Sequence, residues 1–186
     1  GHLPLTRGLG LSLYGDFGLN VYNSRSLDYL RRKGLASACL SFELRFSQIR
    51  DLKKLLPTEA LVYGRLPLMI TENCLVQNET GCRLDRQGPC VPEDGPCRCG
   101  QPNVLVDRTG AAFPLLPAYG HRTEIQNSKS LYLADRPEHR RLGLAYARLR
   151  FTTETAEECV SVVQNYLDAA PAAGDFTRGL YERGVE

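Results

Sequence analysis

Five of the seven cysteines lie in one short stretch, residues 72–100, which reads ENCLVQNETGCRLDRQGPCVPEDGPCRCG. Thiolates gathered in this way serve three kinds of chemistry: a disulfide framework, a zinc site or an iron–sulfur cluster. The stretch is rich in Gly and Pro, and such a loop bends freely enough for widely spaced thiolates to converge on one metal. The five residues are Cys74, Cys82, Cys90, Cys97 and Cys99.

A disulfide framework is the least favoured of the three. The first residues, GHLPLTRGLGLSLYG, lack the charged head, long apolar run and cleavage site of a signal peptide. We therefore expect a cytoplasmic protein, and structural disulfides are rare in that compartment. Seven cysteines also cannot all pair within one chain. The sequence has no apolar run long enough to span a membrane, so we expect no membrane partner.

The spacing of the cysteines, C-x7-C-x7-C-x6-C-x-C, matches no standard metal motif. Zinc ribbons use two C-x2-C pairs, and ferredoxins use a compact run of cysteines. Clustering alone therefore indicates metal binding, with His121 near the end of the following hairpin as a further donor. Incidental thiols are the alternative. Cys39 and Cys159 lie in apolar segments, and we expect both in the core.

Strands and helices alternate before the cysteine loop. Apolar runs of strand length are separated by segments with helical spacing, in the order β-α-β-α-β. We expect Ser24 or Ser26 to cap the first helix and Ser47 to cap the second. The predicted strands cover residues 17–22, 36–44 and 59–69, and the second helix covers residues 47–56.

After the loop the sequence predicts a β-hairpin and then a return to the α/β pattern. NVLVDRTGAAFPLL should form the hairpin with its turn at DRTG, and RTEIQNSKSLYL should give one or two further strands. Pro137 suits the first turn of a short helix that ends near Leu144. YARLRF should form a strand, and Thr155 and Glu158 match a capping box before the last helix.

This order predicts an α/β fold with about four parallel strands and flanking helices, half the number found in a (β/α)8 barrel. A complete barrel needs roughly 200–250 residues without insertions. We therefore expect the C-terminal half of a (β/α)8-type barrel with a Cys-rich β-hairpin insertion. The expected divisions are residues 1–70, 71–133 and 134–186. Because half of a barrel leaves two sheet edges exposed, we also expect a homodimer.

The ends of the predicted strands carry polar residues that could act on a substrate. Glu43 could serve as an acid or base, and Arg65 could hold a carboxylate or phosphate through two hydrogen bonds. Asn20 and Asn23 follow the first strand. Structural hydrogen bonds are the alternative role for each of them. The net charge of only +2 argues against a protein that binds nucleic acid through bulk charge.

Several longer segments resemble the C-terminal half of the U32 peptidase family, the collagenase-like proteases, and especially its longer bacterial members. These segments are EALVYGRLPLMITENC, VDRTGAAFPL, RTEIQNSKSLYLADR and FTRGLYERGVE, preceded by GLNVYNS and LSFEL. The resemblance implies that an N-terminal half of the barrel is a partner of this chain. It also implies a peptidase that acts on proteins such as collagen, although the sequence contains neither HExxH nor GxSxG.

The resemblance has a second implication, because several relatives carry out hydroxylation without oxygen on RNA or on a quinone precursor. Those relatives hold a [4Fe–4S] cluster on four cysteines, of which Cys74 and Cys82 match two. Cys97 or Cys99 would be the third, and His121 stands where the fourth is usual. Zinc is the alternative metal, and a binding or assembly module with a structural zinc is the non-enzymatic alternative.

Residues in the resembling segments are also candidates for binding a substrate, which would be RNA, a protein or a small molecule. They are Asn20 and Asn23 in GLNVYNS and Arg178 in FTRG. A structural role in the C-terminal tail is the alternative for Arg178.

Overall fold

The computed structural model describes residues 3–6, 8–80 and 98–184. Within these ranges the chain is an α/β protein, as the sequence predicts, and it has a mixed sheet and few helices. The strands are β1 (Leu13–Gly15), β2 (Leu35–Cys39), β3 (Thr58–Thr71), β4 (Asn103–Val106), β5 (Ala112–Ala118), β6 (Arg122–Tyr132), β7 (Tyr146–Leu149) and β8 (Phe176–Thr177). The α-helices are α1 (Ser24–Arg32), α2 (Phe46–Asp51), α3 (Leu75–Thr80) and α4 (Ala156–Asp168). None of the helices described is long and apolar enough to cross a membrane.

The chain divides into two compact units. Unit 1 comprises residues 1–64, 131–151 and 156–186, and unit 2 comprises residues 65–130 and 152–155. Strands β3 and β6 each run from one unit into the other.

Unit 1 contains the parallel strands that the sequence predicts. Strand β1 pairs with β2, β2 pairs with β3, and β3 pairs with β7, all in the parallel direction. Residues 58–63 of β3 are all buried, as expected for a strand covered on both faces. The parallel arrangement is confirmed, whereas the closure of these strands into half of a barrel stays a prediction.

The first strand lies earlier than predicted. The sequence predicts a strand over residues 17–22, but Phe17–Leu19 form a short 3-10 helix, and β1 precedes it. Asp16 causes the change, because its carboxylate accepts a hydrogen bond from the Phe17 backbone N–H at 2.7 Å and caps the turn. Asn20 then adopts a left-handed conformation with φ 52°, and only Val21 pairs with Leu40.

The helices of unit 1 also differ in detail from the prediction. Asn23, not Ser24 or Ser26, caps α1, since its Oδ1 accepts a hydrogen bond from Ser26 N at 2.9 Å. Helix α2 ends at Asp51 instead of Leu56, because Leu52 turns to an extended conformation with ψ 131°. The cap position of α2 is Arg45, not Ser47. The short helix after Pro137 is a 3-10 helix, Pro137–Arg141.

Unit 2 contains the predicted hairpin. Strands β4 and β5 pair antiparallel, and β5 pairs antiparallel with β6, which forms one continuous strand. The turn between β4 and β5 depends on Asp107, whose Oδ1 accepts hydrogen bonds from the backbone N–H groups of Thr109 and Ala111 at 2.7 and 3.0 Å. Gly110 completes the turn with φ 85°, a conformation that suits glycine.

A polar network around the buried Glu59 carboxylate connects the parallel strands of unit 1. The Glu59 side chain is only 8% exposed and accepts two hydrogen bonds from Arg148, at 2.8 and 2.6 Å. Ser37 on β2 donates to the other carboxylate oxygen of Glu59 at 2.5 Å. Arg148 also donates to Asp16 at 2.9 Å. The network therefore contains residues of β2, β3 and β7 and the residue that follows β1.

Removing one charge from this network should cost far more stability than removing an exposed charge. We expect Glu59→Gln to lower the free energy of unfolding by about 3 kcal/mol, because Arg148 loses its buried partner. Asp51→Asn breaks the exposed Arg50–Asp51 pair and should change stability by less than about 0.5 kcal/mol. Urea unfolding of the original protein and the two variants measures these changes. Equal losses of unfolding free energy in both variants would contradict a special role for the Glu59 network.

His139 should make the stability of the protein depend on pH. The residue is 6% exposed, and burial lowers the pKa of its imidazole. Nδ1 donates to the carbonyl of Arg136 at 2.5 Å. The folded form therefore holds a neutral ring, whereas the unfolded chain takes up a proton near pH 6.5.

Since the unfolded chain binds more protons below that pH, we expect the free energy of unfolding to fall as the pH drops from about 7.5 to about 5.5. The slope should not exceed about 1.4 kcal/mol per pH unit. His139→Gln should flatten the profile in this range, and an unchanged slope in that variant would show that another group is responsible.

Candidate metal centre

Cys74 lies directly before α3, in the short turn that follows β3, and is 4% exposed. Hydrogen bonds fix the backbone on both sides of it. The Leu75 backbone N–H donates to Thr123 Oγ1 at 3.0 Å, and Thr71 Oγ1 donates to the carbonyl of Asn73 at 2.6 Å. Because Thr123 lies on β6 and Thr71 ends β3, the two strands together position the Cys74 thiol.

Cys99 lies in the 3-10 helix Arg98–Gly100, directly before β4. The side-chain amide of Asn103 donates to the carbonyls of Arg98 and Gln101, at 2.9 and 2.7 Å. These two bonds hold the short helix against the first residue of β4. Cys99 is therefore positioned by the same kind of device as Cys74, a side chain on a strand that binds the neighbouring backbone.

The two thiols meet, with 3.2 Å between the Sγ atoms of Cys74 and Cys99. This distance is longer than the roughly 2.05 Å of a disulfide bond. Two zinc–sulfur bonds of about 2.3 Å at a tetrahedral angle would place the sulfur atoms about 3.8 Å apart. The two thiols can therefore bind the same metal ion after a small movement.

Cys74 and Cys99 both line a cavity of about 250 Å³. Its walls are mainly apolar, with Val76 and Leu115 among the residues that line it. His121 also lines the cavity, from the turn between β5 and β6, where it has φ 61°. The structure thus brings three of the predicted metal-ligand candidates, Cys74, Cys99 and His121, to one cavity.

The described residues supply only part of a complete ligand set. In residues 3–6, 8–80 and 98–184, no group of three or more His, Cys, Asp or Glu side chains is arranged to hold a metal ion. The other predicted ligands, Cys82 and Cys97, lie outside the described residues, as does Cys90. A centre at Cys74 and Cys99 fits the donor chemistry of zinc and of iron–sulfur clusters, both of which bind thiolates.

The remaining cysteines differ from this pair. Cys39 is fully buried, as predicted, and burial raises the pKa of its thiol to about 12. It therefore stays protonated and inert near neutral pH. Cys159 is only half-buried, so its placement in the core is correct only in part.

The predicted catalytic residues lie in different units. Glu43, in unit 1, is half-exposed on a turn after β2, and its backbone N–H donates to Ser41 Oγ at 3.4 Å. Arg65, in unit 2, donates from Nη1 to the carbonyls of Asn127, at 2.9 Å, and Ser128. Both residues stay candidates, and Arg65 already has a structural role.

The predicted substrate-binding residues all belong to unit 1 and have identifiable structural roles. Asn20 ends the 3-10 helix after β1, and Asn23 caps α1. Arg178 forms a bidentate salt bridge with Asp135, with N–O distances of 2.5 and 2.7 Å. It also donates a hydrogen bond to the carbonyl of Tyr132 at 2.7 Å. These contacts favour the structural alternative for Arg178, an anchor of the C-terminal tail.

Sequence reasoning did not find the residues that position the two thiols. They are Thr71, Thr123 and Asn103. A threonine in a strand looks like an ordinary β-forming residue, so its type gives no signal. Only the placement of Asn103 next to Pro102 and the Cys-rich loop could have indicated a turn-fixing side chain.

The fold and the site together define an α/β protein with a parallel sheet in one unit and a cysteine-lined cavity in the other. Residues 8–110 match Peptidase family U32, which is more than half of the 186-residue chain. The chain therefore belongs to this family, and the resemblance described above is confirmed. Comparison with curated proteins and with solved structures gave no match.

The hydroxyl of Thr123 should be needed to position Cys74. Thr123→Val removes the acceptor of the Leu75 N–H at a site that is 3% exposed, so we expect the Cys74 backbone to loosen. The affinity for Cd²⁺, followed by thiolate–metal absorbance, should fall about tenfold or more, as for other residues that orient metal ligands.

Thr123→Ser keeps the hydroxyl and is the matched control for this experiment. Its Cd²⁺ affinity should stay close to that of the original protein. Equal affinities in the Val and Ser variants would exclude a positioning role for Thr123.

Proposed function

We propose that unit 2 holds a cysteine-ligated metal centre and that the protein is a metal-dependent enzyme of Peptidase family U32. One observation carries the proposal: the thiols of Cys74 and Cys99 lie 3.2 Å apart in a cavity that His121 also lines. A mainly apolar cavity with soft donors is a setting that favours thiolate-bound metals. Cys82 and Cys97 are the proposed sources of further ligands.

The resemblance to oxygen-independent hydroxylases favours a [4Fe–4S] cluster as the native form of this centre. Such a cluster would supply electron transfer, and its substrate would be RNA or a small metabolite. A reduced thiol set requires a reducing compartment, so a cytoplasmic location is part of the proposal. Completion of the half-barrel, by an N-terminal half or by a second copy, is also part of it.

A structural zinc in a binding or assembly module is the second candidate. The short distance between the two sulfur atoms favours it, because both thiols then bind one ion. In a [4Fe–4S] cluster each cysteine binds a different iron, so the two thiols would have to move apart. The family description supports a third candidate, hydrolysis of proteins.

Metal analysis after anaerobic purification separates these candidates. We expect iron and acid-labile sulfide in the purified chain, with a brown colour that is lost in air. Cys74→Ser and Cys99→Ser should each lose most of the metal. Cys159→Ser is the matched control, because Cys159 lies in unit 1, outside the thiol pair, and its variant should keep the full content.

Other outcomes point to the other candidates. Stoichiometric zinc that is retained in air would support the structural zinc site and would contradict the iron–sulfur cluster. Cleavage of casein or gelatin that persists through purification, and that survives loss of the metal, would favour the peptidase. Metal content that is unchanged in both Cys74→Ser and Cys99→Ser would refute the centre itself.

A further inference from the structure

The parallel sheet of unit 1 ends in two open edges. In the part of the chain that the structure describes, β1 pairs with β2 alone and β7 pairs with β3 alone. The parallel strands therefore lie in the order β1-β2-β3-β7, with β1 and β7 at the two ends. An open edge of this kind is a place where a strand of another chain can pair.

Large apolar side chains are exposed at the β1 edge. Leu9 and Leu11 precede the strand and Tyr14 lies within it, and all three side chains are 60–63% exposed. Several large apolar groups that lie close together on a surface indicate an interaction site, whereas a single one does not.

The β7 edge is apolar as well, because helix α4, which follows β7, is only partly covered. Of its 13 residues, only Val162 is buried. Val160, Val163 and Leu167 are 70%, 41% and 70% exposed, and their spacing of three and seven positions places them on one stripe. A groove of about 300 Å³, lined by Tyr146 of β7 among others, lies beside this stripe. A helix normally buries its apolar stripe, so another element should cover this one.

The helices at the two edges carry opposite charge. Helix α1, which follows β1, has with the adjoining Lys33 four basic residues and one acidic residue, whereas α4 has three acidic residues and no basic one. Arg25 and Arg32 are exposed on one face of α1, and Glu157 and Asp168 are exposed on one face of α4. Contact of α1 with α4 therefore brings unlike charges together, and contact between two copies of either helix brings like charges together.

We propose that a second copy of this chain covers both edges. In the resulting two-fold dimer, β1 of each copy pairs in parallel with β7 of the other, and α1 of each copy packs beside α4 of the other. Helices that follow neighbouring parallel strands lie side by side in a ring of eight strands, and two copies supply eight. Each contact joins unlike edges, and two such contacts close the assembly.

The proposal rests on unit 1 alone. Of the two ways to complete the half-barrel that are named under the proposed function, it selects the second copy. The charge of the two helices favours this choice, because the chain itself contains both complementary surfaces. The thiol pair of Cys74 and Cys99 lies in unit 2, so metal content measured on the same samples reports separately on the metal centre.

Sedimentation velocity at micromolar concentration tests for the dimer. We expect twice the 20.7 kDa mass of one chain. Leu167→Lys places a charge in the apolar stripe and should weaken the dimer at least about tenfold, while the circular dichroism of this exposed variant stays unchanged. Leu68→Lys is the matched control, since Leu68 is 53% exposed but belongs to unit 2, and this variant should remain a dimer. A monomeric original protein, or equal effects of the two variants, overturns the proposal.

Charge reversal tests the pairing of α1 with α4. One variant, Glu157→Lys with Asp168→Lys, reverses the net charge of α4, and another, Arg25→Glu with Arg32→Glu, reverses that of α1. Each variant alone has like charges at both contacts and should be monomeric. An equal mixture of the two has unlike charges at both contacts, so we expect a mixed dimer. A mixture that stays monomeric, or a dimer of either variant alone, overturns the proposal.

Discussion

The Glu59 carboxylate is the group on which the parallel sheet of unit 1 depends. It accepts hydrogen bonds from Ser37 on β2 and from Arg148 on β7, and Arg148 in turn reaches Asp16 after β1. A carboxylate that is 8% exposed is stable only with its partners in place, because desolvation of an unpaired charge is very costly. A shift of one residue in any of these strands would turn a partner to the opposite face. The network therefore disfavours a one-residue change of register in these strands.

Strand β3 leaves unit 1 at a position that only glycine can occupy. The register of β3 with β7 shifts between Leu61 and Tyr63, and there two tyrosine hydroxyls bind β3 carbonyls. Tyr181 donates to Leu61 at 2.5 Å, and Tyr166 donates to Val62. At Gly64, with φ 118°, a Cβ atom would lie 2.1 Å from the carbonyl oxygen of Arg150. Only glycine fits this position, where β3 leaves unit 1.

The sequence predicted those elements whose signals are local and strong. The hairpin of β4 and β5 follows from DRTG between two apolar runs, and α4 follows from its helical spacing. It failed where one side chain redirects the backbone, as Asp16 does before the 3-10 helix and Asn23 does at α1. The sequence did not predict the role of Glu59, for a related reason. A single acidic residue at the start of an apolar run resembles a strand boundary, and its partners lie 22 and 89 residues away in the sequence.

For the candidate sites, the residue composition predicted the kind of site, but it did not predict which residues lie together. Clustering of cysteines in the sequence indicated a metal centre, but it did not identify Cys74 and Cys99 as the pair that meets, because that depends on Thr123 and Asn103. A second cavity of unit 2, of about 460 Å³, is lined by only one residue that the sequence had indicated, Arg65. Both cavities share the wall formed by Leu115, Leu116 and Pro117 of β5. One strand, hydrogen-bonded on both sides to β4 and β6, therefore fixes the distance between the two cavities within unit 2, whatever occupies either of them.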